Sequence, residues 1–226
     1  MSQSKIQHLA FIMDGNNRWG TLHNKNYIES YNAGAIVIKK LLPYIATLSI
    51  KFTSFFVLST ENFARPQKII KSIVDILNYY INHDSNFLFE HDFKIIFIGN
   101  LQILDSQTLK NISHISNLNQ NASKVVIFAI NYGGQNEILD ACNKALELDK
   151  TNINKSELQN LMYYPQMPQV DLLIRTGGEF RLSNFLLWHM SYSELYFTKT
   201  LWPDFTCEDL SIAISEFNQR VRKFGK

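Results

Sequence analysis

Six short apolar runs punctuate the chain, and between them apolar residues recur at helical spacing. The runs are His8–Met13, Phe52–Ser59, Phe93–Gly99, Lys124–Asn131, Val170–Thr176 and Glu194–Thr198. Most are almost continuously hydrophobic, as strands are when both faces are buried. The stretches Asn32–Thr47, Pro66–Glu90, Ser106–Asn119, Gln135–Asp149, Lys155–Met162 and Thr206–Lys223 read as helices. Pro66 suits a first helical turn and Ser106 an N-cap. Strand–helix alternation along the whole chain predicts an α/β fold. It is expected to be a single domain over residues 1–226, with a mainly parallel β-sheet of about six strands flanked by helices. No internal repeat, low-complexity linker or charge block interrupts the pattern.

Gly15, Gly99, Gly133, Gly134, Gly177 and Gly178 fall at or just beyond the C-terminal ends of predicted strands. In open α/β sheets that edge holds the ligand, so motifs far apart in sequence are expected to meet there. Composition changes this picture little. The net charge of +2 gives no bulk attraction for nucleic acid or an anionic membrane surface. Two cysteines, Cys142 and Cys207, are too few for a disulfide framework and point to a reduced, cytoplasmic setting. The start MSQSKIQ carries no apolar signal core. No apolar run approaches the ~18 residues of a membrane span.

Two segments carry the candidate chemistry. Met13–Trp19 reads MDGNNRW directly after the first run, and Ile174–Trp188 reads IRTGGEFRLSNFLLW shortly before Glu194. Each is an apolar strand breaking into a loop rich in Gly, Asn or Ser and Arg. Such loops bind phosphate, because glycines let backbone N–H groups approach oxygen. Two of them imply two anionic ligands, or one ligand with two anionic ends. Four of the six arginines, Arg18, Arg65, Arg175 and Arg181, lie in or beside such loops, and Arg grips phosphate with a planar fork. Asp14 can face a bound phosphate only with a cation between them, a task suited to Mg²⁺; a helix cap is the alternative. Glu194 is a second acidic candidate, or a solvated rim residue. Asn16, Asn17 and Arg18 offer donors, and Trp19 is either core or a cover for an apolar tail. The strand exit Ser59, Thr60, Glu61, Asn62, Phe63, Ala64, Arg65 is densely polar, or an ordinary capped turn before Pro66. Arg175, Arg181 and Ser183 form a second basic pocket, expected to lie apart from the Asp14 loop. The six histidines show no catalytic or metal spacing.

The stretches HLAFIMDGNNRW, FFVLSTENFARP, IIFIGN, FAINYGG and VDLLIRTGGEFRLSNFLLWHMSYSELYFTKTLWPDF resemble the cis-prenyltransferases, specifically the bacterial undecaprenyl diphosphate synthases. The similarity runs from His8 to Gly225. It implies a parallel sheet with a hydrophobic tunnel, usually in a homodimer. It implies repeated cis condensation of isopentenyl diphosphate onto farnesyl diphosphate with Mg²⁺, and a product that partitions to the membrane, with the enzyme peripheral at its inner face. By the resemblance Asp14 is the central catalytic, metal-linked residue and Glu194 a further metal ligand. Gly15, Asn16, Asn17 and Arg18 hold the allylic diphosphate, with Trp19, Tyr27 and Tyr31 nearby. Ser59, Thr60, Glu61, Phe63 and Arg65 line the substrate site. Asn62 matches a proton acceptor, a role that suits an amide poorly; orienting a diphosphate or water is the other reading. Arg175, Arg181, Leu182 and Ser183 match the isopentenyl diphosphate site.

The chain departs from the family pattern at Asn17 (usually Gly), Tyr27 (commonly Arg), Ser30–Tyr31 (Gly-His), Phe63 (Trp), Gln135 (Arg), Phe180 (His) and Lys223 (Arg). A growing apolar product needs a channel, expected between the sheet and the Pro66–Glu90 helix. Its floor is expected from Ile96, Ile98, Ile127 and Ala129, facing Ile73, Leu77 and Ile81. Two other readings compete. A silent partner subunit would lack the Asp14 position or the RTGGE region, and both are present. A nucleotide phosphotransferase would carry GxxxxGK[ST] or GxGxxG, and neither occurs.

Overall fold

The computed structural model describes residues 6–64, 66–83 and 91–222. Arg65, residues 84–90 of one expected helix and Lys223 of another lie outside them. All six predicted strands form: β1 (His8–Ile12), β2 (Phe52–Ser59), β3 (Phe93–Ile98), β4 (Lys124–Tyr132), β5 (Leu172–Arg175) and β6 (Glu194–Phe197). Every pairing is parallel and the order is β3-β4-β2-β1-β5-β6. The chain therefore reverses its direction of travel at β1, which pairs β2 on one side and β5 on the other. A crevice opens beyond strand C-termini at such a reversal, and the MDGNNRW and RTGGE loops leave β1 and β5 there.

Among the described residues seven α-helices flank the sheet: α1 (Asn16–Leu22), α2 (Tyr27–Thr47), α3 (Gln67–His83), α4 (Ser106–Asn117), α5 (Gly134–Glu147), α6 (Lys155–Leu161) and α7 (Cys207–Gln219). Two helical features were not read from the periodicity. α1 spans seven residues inside the Gly/Asn loop, too few to show a hydrophobic period. α2 begins at Tyr27 rather than Asn32, because Asn26 and Glu29 form a capping box there. The end of α2 is satisfied from outside: Lys124 Nζ donates to the Leu48 carbonyl at 2.7 Å and to that of Ala46. A cation there quenches orphan carbonyls and complements the helix dipole.

Strand alternation divides the core into two faces. Leu9, Phe11, Phe55, Ile95, Val126 and Phe128 pack against residues of α2, α4 and α7 such as Leu41, Ile45, Ile112 and Phe217. Ala10, Ile12, Phe56, Ile98, Ile127 and Ala129 face Met167, Phe185, Leu186 and Met190. On the first face a row of stacked rings, Phe11–Phe55–Phe128–Phe97, crosses four neighbouring strands in register, with centroids 5.2, 5.7 and 5.7 Å apart.

α1 packs on α2 through Gly20. A Cβ there would lie 2.0 Å from Ser30 Oγ, a buried hydroxyl that donates to the Asn26 carbonyl at 2.7 Å. Gly20→Ala should therefore cost about 1 kcal/mol or more, as the hydroxyl is driven from its bond. Adding Ser30→Gly should recover most of that loss. Urea unfolding of both singles and the double measures the coupling, and strictly additive effects would refute it.

Candidate active site

Asp14 leaves β1 into the crevice and is fixed at both its backbone and its carboxylate. Its carbonyl accepts from Thr176 Oγ1 at 2.7 Å and from the Trp202 N–H at 3.1 Å. Its Oδ2 accepts from Arg175 Nη2 at 2.9 Å, and its Oδ1 from Arg18 Nη2 at 3.2 Å. Gly15 follows with φ +113°, and a Cβ there would come within 3.1 Å of the Leu201 backbone, so the turn into α1 admits only glycine without strain. Asn16 and Asn17 each bury a side-chain oxygen with no partner, and Arg175 buries an unpartnered Nε.

Arg175 was expected apart from Asp14; instead it is the carboxylate's buried counter-ion. Its side chain is 3 % exposed, and Nη1 donates to Ser183 Oγ at 2.8 Å and to the Arg181 carbonyl. The pairing arises because β1 and β5 are adjacent with Ile12 opposite Arg175. One guanidinium thus joins the two loops that sequence had treated as separate pockets. Arg181 is exposed and ion-paired with Glu179.

A cavity of about 670 Å³ runs inward from this point. Tyr31, Gly34, Ala35 and Ile38 of α2 and Ile73, Leu77 and Ile81 of α3 form its apolar walls. Asp14–Arg18, Ser59, Glu61, Asn62, Arg175, Arg181 and Ser183 line its polar end. The expected helix side of the channel is in place, but the expected floor is not. Ile98, Ile127 and Ala129 are buried on the opposite face of the sheet, with Ile96 packed there too. The apolar strand residues at the cavity are Val57, Phe97, Phe128 and Ile130, joined by Ile12 and Phe56 near the C-terminal ends of β1 and β2. The error is one of parity: neighbouring strand residues point to opposite faces, and a strand apolar on both faces gives no sign of which is which.

The corner after β2 is a 3₁₀ turn over Thr60–Ala64. Ser59 Oγ accepts from the Asn62 N–H at 3.2 Å and from Asn62 Nδ2 at 2.8 Å. Glu61 accepts from Asn184 Nδ2 at 2.6 Å. Burial opposes ionisation of Glu61, but hydrogen bonds from Asn184, its own backbone, Ser59 and Thr60 outweigh it and hold its carboxyl below the usual range. Asn184 was passed over in the sequence, although it lines the cavity. Its carbonyl accepts from the Gly134 N–H at 2.7 Å and its Oδ1 from the Gln135 N–H at 2.9 Å. It therefore caps α5 from across the sheet, where the N-cap residue Gly133 has no side chain to do so. The GG pair of the NYGG stretch was the available signal. A Cβ on Gly133 would lie 2.7 Å from Asn184 Nδ2 and from Thr60 Oγ1, and one on Gly134 would lie 2.9 Å from Leu187.

Several expected site residues stand elsewhere. Trp19 stacks on His23 at 4.4 Å and donates to Asp204 at 2.7 Å, outside the cavity lining. Tyr27 is exposed at the start of α2, one turn from the wall residue Tyr31. Thr60 abuts Gly133, Phe63 packs with Leu58, Ile69 and Ile73, and Leu182 joins the core of the far face. Phe180 is exposed against Phe197. Arg65 lies outside the described residues. Glu194 is the clearest departure. It begins β6 opposite Leu172, at the N-terminal edge of the sheet, and pairs with Arg220 at 3.0 Å. Asp14 lies beyond the C-terminal edge, so within one chain the two carboxylates do not share a cation. Among the described residues no three His, Cys, Asp or Glu side chains gather as a metal cage, and no helix is long and apolar enough to cross a membrane.

Residues 12–225 match the family model described as "Putative undecaprenyl diphosphate synthase". An isoprenyl transferase of Rickettsia bellii is 42 % identical over 224 residues, 99 % of either chain. The lavandulyl diphosphate synthase of Lavandula x intermedia, solved with dimethylallyl diphosphate, superposes with a TM-score of 0.92 at 29 % identity, covering 99 % of both chains. A probable undecaprenyl diphosphate synthase of Campylobacter jejuni gives a TM-score of 0.82 at 31 % identity, over 98 % of this chain and 99 % of that one. Fold, polar crevice, apolar cavity and full-length similarity agree: the chain belongs to the isoprenyl transferase family of undecaprenyl diphosphate synthase type and is a prenyltransferase acting on prenyl diphosphates.

Proposed function

We propose that the protein condenses isopentenyl diphosphate repeatedly onto farnesyl diphosphate, with Mg²⁺, to give a polyprenyl diphosphate of undecaprenyl type. The observation that carries this reading is a carboxylate between two guanidiniums, Asp14 with Arg18 and Arg175, at the polar end of a 670 Å³ apolar cavity. A diphosphate end belongs at the guanidiniums and a hydrocarbon tail in the cavity. The donor set fits Mg²⁺, which takes one or two carboxylates and completes its shell with phosphate oxygens and water. Asp14 would hold it, and the bound ion would neutralise charge on the departing diphosphate. As the allylic C–O bond breaks, Arg18 stabilises the same developing charge, while Arg175, joined to Ser183 and the Arg181 carbonyl, serves the isopentenyl diphosphate. The isopentenyl double bond forms the new C–C bond and a proton is then lost. Asn62 donates its amide to Ser59, an arrangement that supports an orienting role rather than proton acceptance.

A homodimer is part of this reading. β6 ends the sheet, and Phe180 and Tyr192 are exposed next to it. Product transfer to the membrane follows from chain chemistry, since each exposed CH₂ costs about 0.8 kcal/mol in water. The assay is incorporation of radiolabelled isopentenyl diphosphate with farnesyl diphosphate and Mg²⁺, with products sized by chromatography. A ladder of longer prenyl diphosphates is expected, and no incorporation would refute the reading.

The cavity wall should also limit product length, because an overfilled packed space resists. Ile130→Trp or Val57→Phe is expected to shorten the product while the first condensation continues. Ala129→Leu, on the far face, should lower the melting temperature without changing product size. The same product distribution in all three would rule out a steric limit at this wall.

A further inference from the structure

Behind the polar crevice lies a buried acid that the proposed chemistry does not use. Glu137, in the first turn of α5, is 1 % exposed. Its Oε2 accepts from the Tyr132 hydroxyl and its Oε1 from the Tyr163 N–H at 3.1 Å. Tyr132 ends β4, is 1 % exposed, and touches the segment that carries Ser183 and Asn184. Its ring stands edge-on to Phe185 at 6.0 Å.

That segment does not hold its shape by local preference. Ser183, Asn184 and Leu186 have φ of +50°, +62° and +43°, and three left-handed non-glycine residues in four persist only when their surroundings impose them. The restraints visible are the Gly134 and Gln135 amides on Asn184, the stacking of Phe185 on Phe56 at 4.3 Å, and the Tyr132–Glu137 pair. What the segment presents to the crevice is Ser183 Oγ on Arg175 and the Asn184 amide on Glu61.

We propose that Tyr132 and Glu137 form a buried latch that holds Ser183–Leu186 in its left-handed conformation and thereby sets the geometry of the pocket for isopentenyl diphosphate. They are positioning residues, remote from the reacting atoms. The inference rests on the proposed assignment of the Arg175–Ser183 side to isopentenyl diphosphate. Burial raises both the Tyr132 hydroxyl and the Glu137 carboxyl from their ordinary values, which keeps the phenol a donor throughout the working pH range.

Tyr132→Phe keeps the ring and removes only the hydroxyl; Glu137→Gln keeps an oxygen acceptor and removes the charge. Amide hydrogen exchange needs no substrate. In Tyr132→Phe exchange over Ser183–Leu187 should rise about tenfold while β1 and β2 keep their protection. In the condensation assay the isopentenyl diphosphate KM should rise about tenfold, with the farnesyl diphosphate KM little changed. Glu137→Gln should show the same pattern more weakly, because its amide oxygen still accepts from Tyr132. Unaltered exchange at Ser183–Leu187 in Tyr132→Phe would overturn the latch. So would exchange that rises throughout the sheet, or both KM values rising alike, since either marks general loosening. Should the wild-type protein not use isopentenyl diphosphate at all, the proposed function fails, and exchange alone still decides whether the latch holds the segment.

Discussion

Asp14→Asn should lower turnover by about 10²–10³, the range seen when one preorganised charge-stabilising group is removed. Asparagine is the informative replacement. Arg175 is 3 % exposed and donates to Asp14 Oδ2; alanine would leave that guanidinium buried without its partner, at about 3–5 kcal/mol. Asparagine keeps an acceptor oxygen for Arg175 and loses the charge needed to hold a cation. The experiment pairs steady-state turnover with thermal melting and a Mg²⁺ titration. Wild-type activity should vanish on chelation and return with Mg²⁺, and the folded variant should stay slow at saturating metal. A well-folded Asp14→Asn protein with near-normal turnover would sink the assignment of Asp14.

Acidification should unfold the protein at a pH where most carboxylates are still ionised. His8 and His189 are both fully buried. His8 reaches the Pro168 carbonyl at 3.0 Å and Ser54 Oγ at 2.8 Å, whereas neither ring nitrogen of His189 has a partner. Burial pushes each from 6.5 to about 4; the Pro168 carbonyl and Asp171 offset part of this at His8, and His8 itself adds to it at His189. Between those values the unfolded chain binds protons that the folded protein refuses. The stabilisation is therefore complete above about pH 6.5 and falls, as pH drops toward 4, by about 1.4 kcal/mol per pH unit for each histidine. Two such groups lose several kcal/mol by pH 4.5, comparable with the ~5–15 kcal/mol stability of a typical domain. Melting temperatures from pH 7.5 to 4.5 should fall steeply in wild type. In His189→Leu, which replaces the unpartnered ring with an apolar side chain, the slope should be about half. A flat profile in wild type, or an unchanged slope in the variant, would show that these rings are not what acid attacks.

The strands, their buried character and the two loops that meet at the crevice were legible from the chain alone. These depend on local composition: an apolar run bounded by Gly, Asn and Asp reads as a strand with an exit loop wherever it sits. The resemblance through IRTGGEFRLSNFLLW was likewise contained in the string, and the family match over 12–225 agrees with it. α1 left no trace because seven residues in a polar loop carry no period, while the earlier start of α2 was written in Asn26 and Glu29 and went unread.

Other features exist only once the strands are ordered. The Asp14–Arg175 pair requires β1 beside β5 in a register that sets Ile12 against Arg175, an adjacency of residues more than 160 positions apart. Asn184 acquires its role as the cap of α5 from a segment distant in sequence. Which of Ala129 and Ile130 faces the cavity turns on parity, invisible where both faces of a strand are apolar. Glu194 keeps its motif yet stands at the far edge from Asp14, because β6 runs parallel to β5 and begins where the crevice is not. Sequence determined which residues can carry charge, donate or turn the chain. Tertiary structure decided which of them meet, since contact across a sheet depends on strand order, register and pleat, and these are set by the packing of the whole chain.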